Sequence, residues 1–88
     1  MNNFKIIWSS TSIDDLNRIK NNISKSTLKK IIFSPKSIIF EEQYQKDEYR
    51  QDCRRILVKN YKILYQFSNN KISVIRIFNT LHNPNSII

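Results

Sequence analysis

The chain has 88 residues, room for one domain, and its 40% hydrophobic and 25% charged content is that of a folded chain rather than a disordered one. It contains no glycine, which excludes the Gly-rich phosphate loops whose backbone must approach a phosphate without a Cβ in the way. One cysteine (Cys53) and one histidine (His82) exclude a zinc finger and a disulfide framework, and the formal net charge of +8 points to an anionic partner.

No apolar run is long enough to cross a bilayer. The start, Met1 to Lys5, has neither the apolar core nor the small-residue cleavage site of a secretory leader, so a cytoplasmic protein without membrane contact is expected. Sixteen isoleucines, ten lysines and eleven asparagines reflect a compositional bias that raises the lysine count without regard to function. The distribution of charge is therefore more informative than its sum. Five of the seven acids lie between Glu41 and Asp52, whereas Cys53 to Ile88 holds six Lys/Arg and no acid. A cationic, acid-free half suits a polyanion or an acidic protein.

In chain order, Phe4 to Trp8 predicts a short strand of bulky and β-branched residues. Thr11 and Ser12, with Asp14 and Asp15 behind them, predict a helix start, and Ile13, Leu16, Ile19 and Ile23 form its apolar stripe. Ser24 to Thr27 predict the cap of a second helix with Leu28, Ile31 and Ile32 on its apolar face, ended by Pro35. The two make a short helical hairpin. Residues 36–52 read as a mostly irregular connection anchored by Ile38 to Phe40. Arg54 to Val58 predicts a strand, Lys59–Asn60 a two-residue turn whose asparagine accepts a positive φ, and Tyr61 to Phe67 the next strand. On that strand Tyr61, Ile63, Tyr65 and Phe67 share one face, and Lys62, Leu64 and Gln66 the other. After a turn at Ser68 to Lys71, Ile72 to Phe78 completes a meander, and Pro84 keeps the tail irregular. The sum is an α+β domain over residues 1–88: a strand, a helical hairpin, then a twisted antiparallel sheet.

The candidate chemistry gathers on Arg54, Arg55, Lys62, Arg76 and His82. Guanidinium forks match phosphate oxygens, and strands about 4.8 Å apart can bring such side chains together. Tyr49, Tyr61 and Tyr65 offer rings for base stacking, although the alternation of Tyr61 and Tyr65 with Ile63 and Phe67 is more simply explained by core packing. Lys59 at the turn adds a further cation to the RNA-binding set with Arg76 and Tyr61. His82 is the one side chain whose ordinary pKa lies near neutrality. Cleavage of RNA by its own 2′-hydroxyl needs a base, an acid and cations at the phosphorus, which one histidine and several Arg/Lys can supply with no metal and no cofactor. Arginine neighbours could lower the pKa of Cys53, but a small apolar residue at a strand edge is the simpler reading.

Residues 49–84 carry a resemblance. The Arg54 strand start, Tyr61-Lys62-Ile63-Leu64-Tyr65 and Phe78-Asn79-Thr80-Leu81-His82-Asn83-Pro84 resemble the RelE/ParE family, the toxins of type II toxin–antitoxin pairs. The segment Phe40 to Gln45 and the strand ending at Trp8 fit the same family. The resemblance implies a small helical hairpin on a twisted sheet and an antitoxin partner, expected to be acidic and partly disordered. RelE-type members cleave mRNA in the ribosomal A site and ParE-type members inhibit DNA gyrase. The family's basic positions fall at Arg54 or Arg55 and at Lys62, and its last-loop Arg or His falls at His82. Leu81 and Asn79 depart from the pattern, standing where an Arg and an Asp are usual. The short hairpin favours ribosome-dependent mRNA cleavage over gyrase inhibition, with an inactive antitoxin-binding module as a further alternative.

Overall fold

A computed structural model describes residues 4–81. Strand β1 (Lys5–Trp8) leads into helix α1 (Ser10–Ile19), helix α2 (Lys25–Phe33) and a 3-10 turn (Ser34–Ser37). An irregular segment then reaches strands β2 (Arg54–Val58), β3 (Tyr61–Ser68) and β4 (Lys71–Asn79).

The helix start differs from the expected one. Ser9, not Thr11 or Ser12, is the N-cap, its Oγ accepting from the Ser12 N–H at 3.0 Å. Four hydroxyl residues in a row offer equivalent caps, and the sheet decides among them. The Ser9 N–H donates to Val74 O at 3.0 Å and its Oγ donates to Ile75 O at 3.0 Å, so the residue that ends β1 is held extended and capping falls to it. Ser24 caps α2 as expected, accepting from the Thr27 N–H at 3.2 Å. That helix ends at Phe33, and Pro35 sits inside the following 3-10 turn. Leu16, Ile19 and Ile23 pack against the core, whereas Ile13 and Ile32, expected on apolar faces, are exposed.

The sheet order is β1-β4-β3-β2. β2, β3 and β4 form the expected antiparallel meander, but β1 joins β4 in parallel, so the sheet is mixed. α1 packs on β4 and α2 lies toward β2, both on one face. Beyond the end of β1, the free edge of β4 is closed by α1: the Asp15 carboxylate accepts from the Ile77 N–H at 2.9 Å, as a neighbouring strand would. Both hairpins have two-residue loops. Asn69 and Asn70 take positive φ (52° and 61°), the conformation that asparagine adopts most readily in a chain without glycine. In the first hairpin it is Lys59 that takes positive φ (53°), not Asn60. Asn60 is used differently: its carbonyl accepts from Thr80 N and Oγ1, and its amide donates to Asn79 Oδ1.

The main core between helices and sheet contains Ile31, Ile38, Ile56, Tyr61, Ile63, Tyr65, Ile72, Val74 and Ile77. The opposite face of β3, which carries Lys62 and Leu64, is covered as well. Residues 45–47 run along β2, with Arg55 N donating to Gln45 O at 3.0 Å and Asp47 N to Cys53 O at 2.8 Å. The segment that follows closes over a second cluster of Cys53, Leu64 and Phe78. A bulge at Ile75, where Leu64 faces Arg76 and Tyr65 faces Val74, bends β4 around it.

Tyr65 is fully buried, and its hydroxyl has no hydrogen-bond partner among the described residues. Burial pushes its pKa up to about 12 against the pull of the Arg54 guanidinium. The unfolded phenol ionises near 10, so the stability this group contributes is complete below about pH 10 and is lost as pH rises toward 12. Tyr65→Phe removes an unpaired buried hydroxyl at unchanged shape. It is expected to change stability at pH 7 by less than about 1 kcal/mol and to flatten the alkaline decline, as urea titrations at pH 7 and pH 11 would measure.

Candidate phosphate-binding cleft

The antiparallel register Arg55↔Leu64 and Leu57↔Lys62 sets Arg55, Leu57, Lys62 and Leu64 on the sheet face away from the helices. There a cleft of about 320 Å³ is lined by Glu48, Tyr49, Arg55, Leu57, Lys59, Lys62 and Thr80. Arg55 is half-buried, its guanidinium donating to Lys46 O at 3.1 Å and Gln45 Oε1 at 3.3 Å, which aims it across the cleft mouth. Lys59 stands exposed on the β2–β3 turn. Thr80, tied to Asn60 O, forms the rim at which β4 ends, and Tyr49 exposes its ring at the same site. His82 follows two residues after Thr80 and lies outside the described residues.

The adjacent arginines separate cleanly. Arg54 is on the helix side of the sheet, donating to Tyr44 O at 2.7 Å, so Arg55 is the one that shares a cleft with Lys62. Arg76 is not in the cleft. Its Nε pairs with Asp15 Oδ2 at 2.9 Å, and the same carboxylate takes Arg18 and the Ile77 N–H, so Arg76 fastens α1 to β4. Tyr61 and Tyr65 are buried in the main core, as their alternation suggested, which leaves Tyr49 as the ring open to a base. Cys53 is buried too, and desolvation pushes its thiol up despite the nearby Arg50, the opposite of an activated nucleophile.

Lys62 is neither solvated nor free. It is 4% exposed, and its ammonium lies 2.6 Å from Asp47 Oδ1, with the rings of Tyr49 and Phe78 at 5.2 and 5.5 Å. Asp47 Oδ2 accepts from the Tyr49 and Arg50 N–H groups, each at 3.0 Å. Burial alone would raise the Asp47 pKa, but Lys62 and these two donors outweigh it and hold the carboxyl below its ordinary value. Sequence reasoning missed both Asp47 and Asp15. An aspartate two and three residues before backbone N–H groups in an irregular segment is an Asx-turn signal for Asp47. Asp15 offered a weaker one, a position that continues the apolar stripe of α1. Among the described residues no group of three metal-binding side chains comes together.

What the cleft offers is therefore two accessible cations, one cation matched by a buried carboxylate, and one exposed aromatic ring. The cations and the ring suit a phosphodiester and an adjacent base, and Glu48 adds a carboxylate to the same wall.

An N-terminal strand and two helices laid on a four-stranded sheet, with a basic cleft on β2 and β3, are the RelE/ParE architecture. The family model for the ParE toxin of the type II toxin–antitoxin system parDE matches residues 6–84, and the chain belongs to this family. The fold is similar to that in the chromosomal ParDE toxin–antitoxin system of P. aeruginosa, at 12% identity over 90% of this chain and 98% of that one, with a TM-score of 0.70. It is similar to the isolated E. coli RelE toxin, at 15% identity over 97% and 93% of the two chains (TM-score 0.63). It also resembles a chain of the RelB–RelE antitoxin–toxin complex of Methanococcus jannaschii, at 18% identity over 83% and 88% (TM-score 0.57). The comparison with curated proteins returned no match. Among the described residues, no helix is long and apolar enough to cross a membrane.

Proposed function

We propose that this toxin arrests translation by cutting mRNA on the ribosome and is held off by an acidic antitoxin. The observation that carries this reading is the cleft, where Arg55 and Lys59 converge with the exposed Tyr49 ring at the rim from which the chain runs on to His82. Arg55 and Lys59 hold the scissile phosphate and stabilise charge as the 2′-oxygen attacks phosphorus. Tyr49 stacks on the neighbouring base. His82 moves the proton, taking it from the 2′-hydroxyl or giving it to the departing 5′-oxygen. Lys62 and Asp47 form the floor that sets Tyr49 and β3 in place.

The test is a reconstituted translation reaction stalled on a defined mRNA, with ends mapped by primer extension. Wild type is expected to cut within the A-site codon. Arg55→Ala and His82→Ala should each slow cutting by about 100-fold or more, with circular dichroism unchanged. Cutting at wild-type rate in both variants would overturn the site. A second reading, inhibition of DNA gyrase by binding alone, is favoured by the engagement of Arg76 and Lys62 in ion pairs and by the ParE family match. It predicts intact mRNA and loss of supercoiling activity in a gyrase assay.

A further inference from the structure

On the helical side of the sheet, where α1 meets the end of β4, a second cleft of about 300 Å³ has Asp15, Arg18, Asn22, Arg76 and Asn79 in its lining. Two guanidinium groups from two elements share the single Asp15 carboxylate, so the lining carries a net positive charge. Both carboxylate oxygens are engaged within the wall. Oδ1 accepts from Arg18, and Oδ2 accepts from Arg76 Nε and the Ile77 N–H, each at 2.9 Å.

Arg18 faces outward from this arrangement. Its side chain is 66% exposed, and its bond to Asp15 engages one edge of a group that has five N–H donors. The carbonyl end of α1 opposes an anion, and Arg18 in the last turn, with Lys20 at the C-cap, offsets it. Asn79 contributes a donor without charge. Its Oδ1 accepts from Asn60 Nδ2 at 3.1 Å and from the Leu81 N–H at 2.9 Å. Those two bonds fix the orientation of the amide and leave Nδ2 as the atom with no partner among the described residues. An aspartate at 79 would accept the same two bonds but set a second carboxylate beside Asp15.

Position links this cleft to the first. Asn79 is the last residue of β4 and lines the α1–β4 cleft, whereas Thr80, the next residue, lines the phosphate-binding cleft on the other face of the sheet. The end of β4 is therefore the rim that both clefts share, and one strand crossing it reaches the cations of each.

We propose that the α1–β4 cleft holds a second backbone phosphate of the mRNA strand whose scissile phosphate lies at Arg55 and Lys59; this rests on the reading of the chain as an mRNA-cutting toxin. Arg18 supplies the guanidinium fork, Asn79 the neutral N–H donor, and Asp15 holds Arg18 at the cleft. A contact of this kind adds affinity and fixes the register of the strand without reading a base.

The test uses ribosomes stalled on synthetic mRNAs, each with one neutral methylphosphonate at a chosen position on either side of the cut, and reads the toxin concentration that gives half the maximal rate. Arg18→Ala is expected to raise that concentration about 10-fold on unmodified mRNA. Asn79→Asp, which keeps the acceptor for Asn60 and Leu81, should raise it by a similar factor through like-charge repulsion. Lys20→Ala, a cation outside the cleft, should stay within about threefold of wild type. Circular dichroism melts of all three should lie close to wild type. At one methylphosphonate position wild type should weaken about 10-fold while Arg18→Ala weakens no further, because the contact is already gone. Wild-type behaviour of both Arg18→Ala and Asn79→Asp, or losses that add to those of Arg18→Ala at every methylphosphonate position, overturns the second phosphate site and leaves cutting by the first cleft intact. Failure of the wild-type toxin to cut any of the mRNAs overturns the mRNA-cutting reading, and the second site with it.

Discussion

Asp15→Ala is expected to destabilise the domain by about 3 kcal/mol, a fall in Tm of roughly 12–24 °C for a domain of this size. The carboxylate is 1% exposed and joins three donors from two elements: Arg76, Arg18 and the Ile77 N–H. Alanine leaves the buried Ile77 N–H without its carboxylate acceptor, a penalty of about 1–3 kcal/mol, and takes from Arg76 its ion pair with Asp15. Arg76 is partly hydrated, which keeps the total below that of a fully buried pair. Arg18 is mostly exposed, so Arg18→Ala should cost less than about 1 kcal/mol. Arg76→Ala discriminates between the two roles considered for this arginine. As the fastener of α1 it lowers Tm together with any activity; as an RNA contact it would lower activity at unchanged Tm. Circular dichroism melts decide the first point, and an Asp15→Ala variant melting within a few degrees of wild type would show that the carboxylate does not hold α1 to β4.

The elements were legible where local chemistry and tertiary demand agree. Arg54 to Val58 and Tyr61 to Ser68 are rich in β-branched and aromatic residues and flank a two-residue turn, which makes the hairpin legible from the residues. Tyr61 and Tyr65 were legible as core for the same reason. Four things were not. The cap at Ser9 is selected by β4, not by its neighbours. The parallel pairing of β1 depends on two helices carrying the chain back over the sheet, which no local pattern records. Lys62 falls on a face that period-2 reasoning assigns to solvent, and its burial is caused by a distant irregular segment bringing Asp47 over it. Arg76 reads as a free cation because its partner lies 61 positions earlier. The basic residues of the site were visible as a set, but their partition into cleft and scaffold is a long-range electrostatic fact. Arg55 and Lys59 went to the first, Arg54 and Arg76 to the second.

Lys62→Met should be the more damaging single change, at roughly 3–5 kcal/mol, because it strands a fully buried carboxylate rather than a hydrated arginine. Combining it with Asp47→Asn should restore most of the loss. The amide oxygen still accepts from Tyr49 and Arg50, and no charge remains buried. The pH dependence provides an independent signature. In wild type the Asp47 carboxyl is held below its ordinary 3.8, so its contribution is present above that value and is lost as pH falls through the lowered one. With the ammonium gone, burial is opposed only by the Tyr49 and Arg50 N–H groups, and the carboxyl is expected to rise. Lys62→Met alone should then gain stability on acidification from pH 7 toward pH 5, a range over which position 47 gives wild type and the double variant no slope. Urea titrations across that range read the slopes, and parallel slopes in wild type and Lys62→Met would show that the pair does not govern Asp47. The folded double variant also isolates the role of Lys62 in chemistry. If Lys62 only supports the cleft floor, mRNA cutting stays within about threefold of wild type once the fold is restored. If its charge reaches the phosphate, cutting falls by about 100-fold while stability recovers. The buried pairing with Asp47, which already satisfies the ammonium before any substrate arrives, favours the first outcome.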